Sequence, residues 1–231
     1  MKDARAESIE KIGRAISSRI KNGALVGLGS GSTIAALLPT VAAELRQKGV
    51  RPRWVPTSVQ ITLVAQGLDQ EMGALDRPSL DLAVDGADQI DSDLNLIKGG
   101  GGALFKEKVV IGSARRTLIV ADERKLAQRL CSGGAKVPVE AHPFARVPVA
   151  QRLKALGGEP SLKLGERGFP FYTENGNVLF DTAFPPVKNP SLLESKMKSI
   201  PGVVEAGIFT PRPIEVYVIQ EDGGYRILKK E

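Results

Sequence analysis

Four short apolar runs constrain the fold of this chain more than anything else in it. They are the start of ALVGLGSGST at 24–33, which runs on into a glycine and hydroxyl loop, then RWVPTS at 53–58, LDLAVDGAD at 80–88 and RTLIVADE at 116–123, each separated from the next by a segment with helical character. Strands alternating with helices at this period predict a parallel sheet covered on both faces. In such sheets ligands sit at the carboxyl ends of the strands, so the loops that follow each run are where chemistry is expected. Ahead of the first run, Ile9, Ile12, Ile16 and Ile20 recur at helical spacing and predict a helix that stops at Asn22-Gly23. Pro39, inside the apolar segment IAALLPTVAAELRQKG, predicts a kinked or shortened helix there.

From about Lys136 the rhythm changes. KVPVEAHPF reads as strand, VAQRLKALGG as helix, PSLKL and NVLFDTAF as strands, SLLESKMKSI as helix and VVEAGIFT as strand. That βαββαβ order is the ferredoxin-like split unit, with TENGNV as a hairpin connection between its middle strands. The tail PIEVYVIQEDGGYRILKK reads as a closing hairpin returning to the first sheet. The expected architecture is α/β: a Rossmann-like, mostly parallel sheet domain (1–131 and 208–231) with an inserted ferredoxin-like α+β lid domain (132–207).

Composition narrows the function. A net charge of +6 raises nucleic acid as a partner, but the basic residues are interleaved with acids and aromatics make up only 5%, which leaves no stacking platform. A small anionic substrate is the better match, with no nucleic-acid and no membrane partner expected. No apolar run approaches spanning length and the start MKDARAESIEKIG is too charged for a signal peptide, so a cytoplasmic location is expected. With one histidine, His142, and one cysteine, Cys131, a His/Cys metal cluster cannot be assembled, although a carboxylate-only magnesium site remains open. Both residues are expected to be structural.

Three loops carry residue types that suit chemistry. GLGSGST, Gly27 to Thr33, sets glycines and hydroxyls between a strand and a helix start, where backbone N–H groups make an anion site fit for phosphate. The third glycine of the dinucleotide fingerprint is missing and no Walker lysine follows, which favours a phosphorylated small molecule over NAD or ATP. VDGADQIDSD places Asp85 and Asp88 at a strand end, where carboxylates can orient sugar hydroxyls or move protons between oxygens. Asp91 and Asp93 add a partial calcium-loop pattern that lacks its bidentate Glu. In IKGGGGALFKEK, the Lys98 ammonium and the glycine N–H groups suit a developing oxyanion, and Glu107, early in the next helix, suits a base raised by partial burial. Taken alone, KEK is a solvated helix face, and Lys125 in ADERK a surface lysine.

GLGSGST, VDGAD, KGGGGALFKEK and ADERK in this order, with VPVE, ENGNV and IPGVV further on, resemble the type A ribose-5-phosphate isomerase family over nearly the whole chain. The resemblance implies interconversion of ribose 5-phosphate and ribulose 5-phosphate in the non-oxidative pentose phosphate pathway, without metal or organic cofactor, in a homodimer or homotetramer. It assigns Ser30, Gly31, Ser32 and Thr33 to substrate and phosphate binding. Asp85, Gly86, Ala87 and Asp88 fall in the segment for ring opening and hydroxyl contacts. Lys98 with Gly99, Gly100 and Gly101 would hold the enediolate, Glu107 would accept the proton, and Lys125 would contact substrate. The chain carries Ser30 where the family often has Thr, and Gly102 where Ala is usual. Lys11 lies near the family's phosphate-reaching lysine. Two other classes stay open from the residues alone: a non-catalytic sugar-phosphate sensor, and an amino-sugar phosphate deaminase built on similar sheet logic.

Overall fold

The computed structural model describes residues 4–210 and 214–229. The first three residues of the charged N-terminus, and Pro213 and Lys230 at the ends of the expected closing hairpin, lie outside them. In chain order the elements are α1 (Ala4–Ser17), β1 (Leu25–Leu28), α2 (Ser32–Gln47), β2 (Arg53–Pro56), α3 (Val59–Gln66), β3 (Glu71–Met72), β4 (Leu82–Gly86), β5 (Gln89–Ile90), β6 (Leu96–Ile97), α4 (Leu104–Ser113) and β7 (Thr117–Asp122). They continue with β8 (Lys136–Ala141), α5 (Arg146–Ala155), β9 (Glu159–Leu162), β10 (Val178–Ala183), α6 (Pro190–Lys198), β11 (Val203–Ala206), β12 (Ile208–Phe209), β13 (Ile214–Ile219) and β14 (Tyr225–Lys229).

The chain divides into two compact units. The first comprises 1–86, 106–123 and 212–231, and the second 87–105 and 124–211. The first unit holds a seven-stranded sheet in the order β14-β13-β7-β4-β1-β2-β3, parallel throughout except for the antiparallel edge strand β14. Strands β1, β4 and β7 read as continuous apolar runs because helices cover both faces of a parallel sheet. The isoleucines at 9, 12, 16 and 20 all enter the core with Leu37, Leu38, Val41 and Trp54. Burying each such side chain is worth roughly 1.5–3 kcal/mol. Helix α1 nevertheless ends at Ser17, before the expected Asn22-Gly23. The Ser17 and Ser18 hydroxyls bond back to the Arg14 and Ala15 carbonyls, and a tight turn carries Ile20 into the core. Pro39 does not shorten α2, which runs through it to Gln47.

The second unit contains a four-stranded antiparallel sheet, β11-β8-β10-β9, covered by α5 and α6. Numbered within the unit this order is 4-1-3-2, the arrangement of the ferredoxin-like βαββαβ motif. The mostly parallel α/β sheet and the ferredoxin-like insertion are therefore both present. Thr173–Asn177 does turn the chain, with the Thr173 N–H donating to the Asn177 carbonyl at 2.8 Å, but it closes a longer connection that also contains a single 3-10 turn at Glu166–Gly168.

The division by contacts differs from the expected boundaries at 131/132 and 207/208. Residues 87–105 group with the second unit because β5 pairs with β6 and β6 pairs with β12, through Ile97↔Ile208 and Leu96↔Phe209. Two-residue strands like these leave no periodicity for a sequence pattern to catch. Gly207 splits the expected strand VVEAGIFT into β11 and β12, and its backbone faces Pro138 and the Lys98 carbonyl so closely that a Cβ would collide.

Candidate active site

The two units carry separate sets of the expected residues. In the first, β1 runs into Gly29-Ser30-Gly31, and Gly31, at φ 92°, caps the N-terminus of α2. The first N–H groups of a helix have no intrahelical acceptor, and no acidic side chain occupies the first turn of α2 to compete for them. Ser32 is exposed there and Thr33 half-buried. The Ser30 hydroxyl lies 2.6 Å from Thr57 Oγ1 and donates to Ser58 Oγ at 2.9 Å. Thr57 is fully buried, its N–H held by the Leu28 carbonyl at 3.0 Å, and Ser58 caps α3 by accepting the Ile61 N–H. Thr57 and Ser58 were not among the expected site residues. The signal was present in RWVPTS, where two hydroxyls directly follow a strand.

Asp85, near the end of β4, is 1% exposed and accepts the Gly86 N–H at 2.7 Å. Its carboxylate lies on the backbone of Gly29, where any Cβ would collide with it. Residue 29 must therefore lack a side chain, for reasons of approach rather than flexibility. Glu107 is 4% exposed in the first turn of α4. Val110, one turn later on the same helical face, packs onto Gly27 of β1 so tightly that only glycine fits there. The face of α4 that carries Glu107 is thereby locked against the strand that feeds the hydroxyl loop. A buried carboxylate at that position is not a solvated helix face. Lys11, in α1, is engaged with Glu7 Oε1 at 2.8 Å and the Gly223 carbonyl at 2.9 Å.

In the second unit, Ala87 and Asp88 lead into β5, and the glycine run follows β6. The Asp88 N–H donates to the Ile97 carbonyl at 2.8 Å, and its Oδ2 accepts the Gly100 N–H at 3.0 Å. Lys98 is 3% exposed, with its N–H on the Gly207 carbonyl and its ammonium 5.7 Å from the centre of the Phe209 ring. Gly99 sits at φ 91° against Leu104, and the Gly102 N–H closes a turn onto the Gly99 carbonyl at 2.9 Å. The run is thus a built turn. The Lys163 ammonium donates to the Gly100 carbonyl at 2.6 Å, a contact nothing in the sequence announced. Lys125 is half-buried in a 3-10 turn, Glu123–Lys125, with no hydrogen bond to the other candidates.

Asp91 is structural: it accepts the Asp93 N–H, the Asn95 N–H and the Asn95 amide at 2.7–3.0 Å, holding the turn between β5 and β6. His142 caps a 3-10 turn through the Phe144 N–H. Cys131 is buried, and that burial pushes its thiol pKa up to about 11. Among the described residues no cluster of three His, Cys, Asp or Glu could hold a metal, and no helix is long and apolar enough to cross a membrane. A cavity of about 470 Å³ in the first unit, lined by Arg19, Lys21, Arg77, Arg115 and Arg116, contains none of the candidates. Four of its cations follow the C-termini of α1 and α4, where helix dipoles favour positive charge.

A mostly parallel sheet with a hydroxyl-lined helix N-terminus and a buried aspartate at the carboxyl ends of its strands places this chain in the α/β class, whose ligands sit at those ends. The model of one family, ribose 5-phosphate isomerase A (phosphoriboisomerase A), matches residues 53–223. A ribose-5-phosphate isomerase A of Methanosarcina acetivorans is 42% identical over 95% of this chain and 93% of its own length. The solved ribose 5-phosphate isomerase A of Methanocaldococcus jannaschii superposes with a TM-score of 0.89 at 35% identity, covering 96% of this chain and 98% of that one. A D-ribose-5-phosphate isomerase in complex with phospho-erythronic acid does so equally well, at 34% identity and the same coverage. The chain belongs to the ribose 5-phosphate isomerase A family, and it is an isomerase.

Proposed function

We propose that this protein interconverts ribose 5-phosphate and ribulose 5-phosphate through a cis-enediolate, with Glu107 as the base and without a metal. The phosphate docks on the α2 N-terminus and the hydroxyls of Ser30, Ser32 and Thr33. Asp85 assists opening of the furanose ring, Asp88 and Lys125 contact substrate oxygens, and Gly86 and Ala87 line the same segment. Glu107 removes the C2 proton and returns it to C1, while Lys98 and backbone N–H donation from the Gly99–Gly101 run stabilise the enediolate oxygen.

The observation that carries the reading is the burial of Glu107 on a helix face clamped to β1 through Val110 and Gly27. A carboxylate withdrawn from water and held rigidly is costly for stability, and it suits a base that must meet one carbon-bound proton. The complex of a relative with phospho-erythronic acid supports a phosphorylated-acid-sized ligand here as well. In the cell the reaction belongs to the non-oxidative pentose phosphate pathway, carried out in the cytoplasm by a homodimer or homotetramer. The test is ketose formation from ribose 5-phosphate with a chelator present throughout. Turnover insensitive to the chelator is expected, and a folded protein that forms no ketose would overturn the proposal.

A further inference from the structure

The second unit places a basic residue on the glycine run that no part of the proposed chemistry uses. We propose that Lys163 is a positioning residue: its ammonium, by holding the Gly100 carbonyl, aims the Gly101 N–H as the backbone donor to the enediolate oxygen. The proposal rests on the isomerase reading above for the identity of that oxygen.

The donors of the run are not equivalent. The Gly100 N–H is taken by Asp88 Oδ2 at 3.0 Å, and the Gly102 N–H by the Gly99 carbonyl at 2.9 Å. Gly101 has open space around the position of a Cβ, and among the described residues its N–H meets no protein acceptor. The Gly100 carbonyl and the Gly101 N–H belong to one planar trans peptide and point in opposite directions. Fixing the carbonyl therefore fixes the donor. A charge-assisted bond of 2.6 Å from Lys163 does so, and it polarises the peptide toward a stronger N–H donor.

Lys163 is itself held. Its N–H donates to the Leu179 carbonyl at 2.8 Å, its carbonyl accepts the Phe171 N–H at 2.9 Å, and its ammonium sits 5.6 Å from the centre of the Phe171 ring. That ring lies so close to Gly102, at φ 88°, that an added Cβ would stand 2.7 Å from it. The turn beyond is locked by Glu140, fully buried, which accepts from Thr173 Oγ1 and from the Asn175 and Asn177 amides at 2.8–3.0 Å. The connection between β9 and β10 thus buttresses the glycine run through Lys163 and Phe171. Gly102 fits this arrangement: a side chain there would push Phe171, and with it Lys163.

The experiment compares wild type, Lys163→Met and Lys163→Arg in the full chain. Lys163→Met is expected to lower kcat roughly 10- to 100-fold, with KM changing less than about threefold. Lys163→Arg should recover most of the loss. The amide resonances of Gly100, Gly101 and Gly102 should shift in Lys163→Met while that of Gly31 stays in place. Unchanged resonances would overturn the anchoring, and shifted resonances with wild-type kcat would overturn the catalytic role. A wild type that forms no ketose would sink the isomerase reading instead, and the resonances would still decide whether Lys163 sets the Gly101 peptide.

Discussion

The hydroxyl loop at Gly29–Thr33 and the glycine run at Gly99–Gly102 are alike in composition but organised by different physics. The first takes its donors from a helix N-terminus, which supplies oriented N–H groups wherever a helix begins, and adds hydroxyls from two neighbouring strand ends. The second leads into α4, which begins at Leu104, but its donors lie ahead of that helix's first turn. Its peptides are set one at a time, by Asp88, by the turn onto Gly99 and by Lys163. A helix terminus suits a phosphate that is charged throughout the reaction. A peptide fixed by side chains suits charge that appears at a single oxygen in the transition state.

If that contrast is right, losses in the two regions should differ in kind. The largest effect is expected outside both loops, at the base: Glu107→Gln should lower kcat roughly 10²- to 10⁴-fold or more with little change in KM, read by steady-state kinetics. Near-normal turnover would remove Glu107 from the mechanism. Within the glycine run, Gly99→Ala should cost roughly 2–4 kcal/mol in denaturant unfolding, the sum of a collision with Leu104 and a left-handed backbone. Gly101→Ala should change stability by less than about 0.5 kcal/mol, since its surroundings are open. Equal losses at both positions would mean the run is not a built turn. In the hydroxyl loop, Ser32→Ala should raise KM roughly three- to tenfold while kcat stays near wild type. A fall in kcat alone would erase the distinction between the two loops.

The last expected effect lies outside both loops, at Cys131. Burial raises the folded thiol from the ordinary thiol range to about 11, against a smaller lowering by a backbone hydrogen bond from Phe184. The thiol should therefore resist a disulfide reagent at pH 8 in the folded protein and react promptly once unfolded. Because the folded value is the higher one, its contribution to stability is complete below about pH 9 and is lost as pH rises toward 11. Fast labelling of the native protein would show that the second unit opens locally at Cys131.

Much of the sheet was legible because burial on both faces makes β1 and the middles of β4 and β7 continuously apolar, with Asp85 and Asp122 falling toward the strand ends. The βαββαβ order of the second unit was legible for a related reason, since each element there has its own period. What escaped were features without a local pattern. Strands β5 and β6 span two residues each, and β12, the partner of β6, lies more than a hundred residues further on. Thr57 and Ser58 were hidden by ordinary appearance: hydroxyls after a strand are common, and only their contact with Ser30 marks them. Glu107 and Glu140 show the same limit, as both are buried glutamates, yet Glu140 is committed to locking a turn.

By itself the sequence determined the class of fold, the order of its elements, and which loops follow strands, because hydrophobic period and glycine placement are local properties of the chain. Only the tertiary structure decided that Gly29 is small to admit Asp85, that Val110 clamps the helix bearing Glu107, and that Lys163 holds the Gly100 peptide. Those decisions depend on approach distances between residues 56, 83 and 63 positions apart, from 29 to 85, from 27 to 110 and from 100 to 163. Such distances exist only once the core has packed and each backbone group has found its partner.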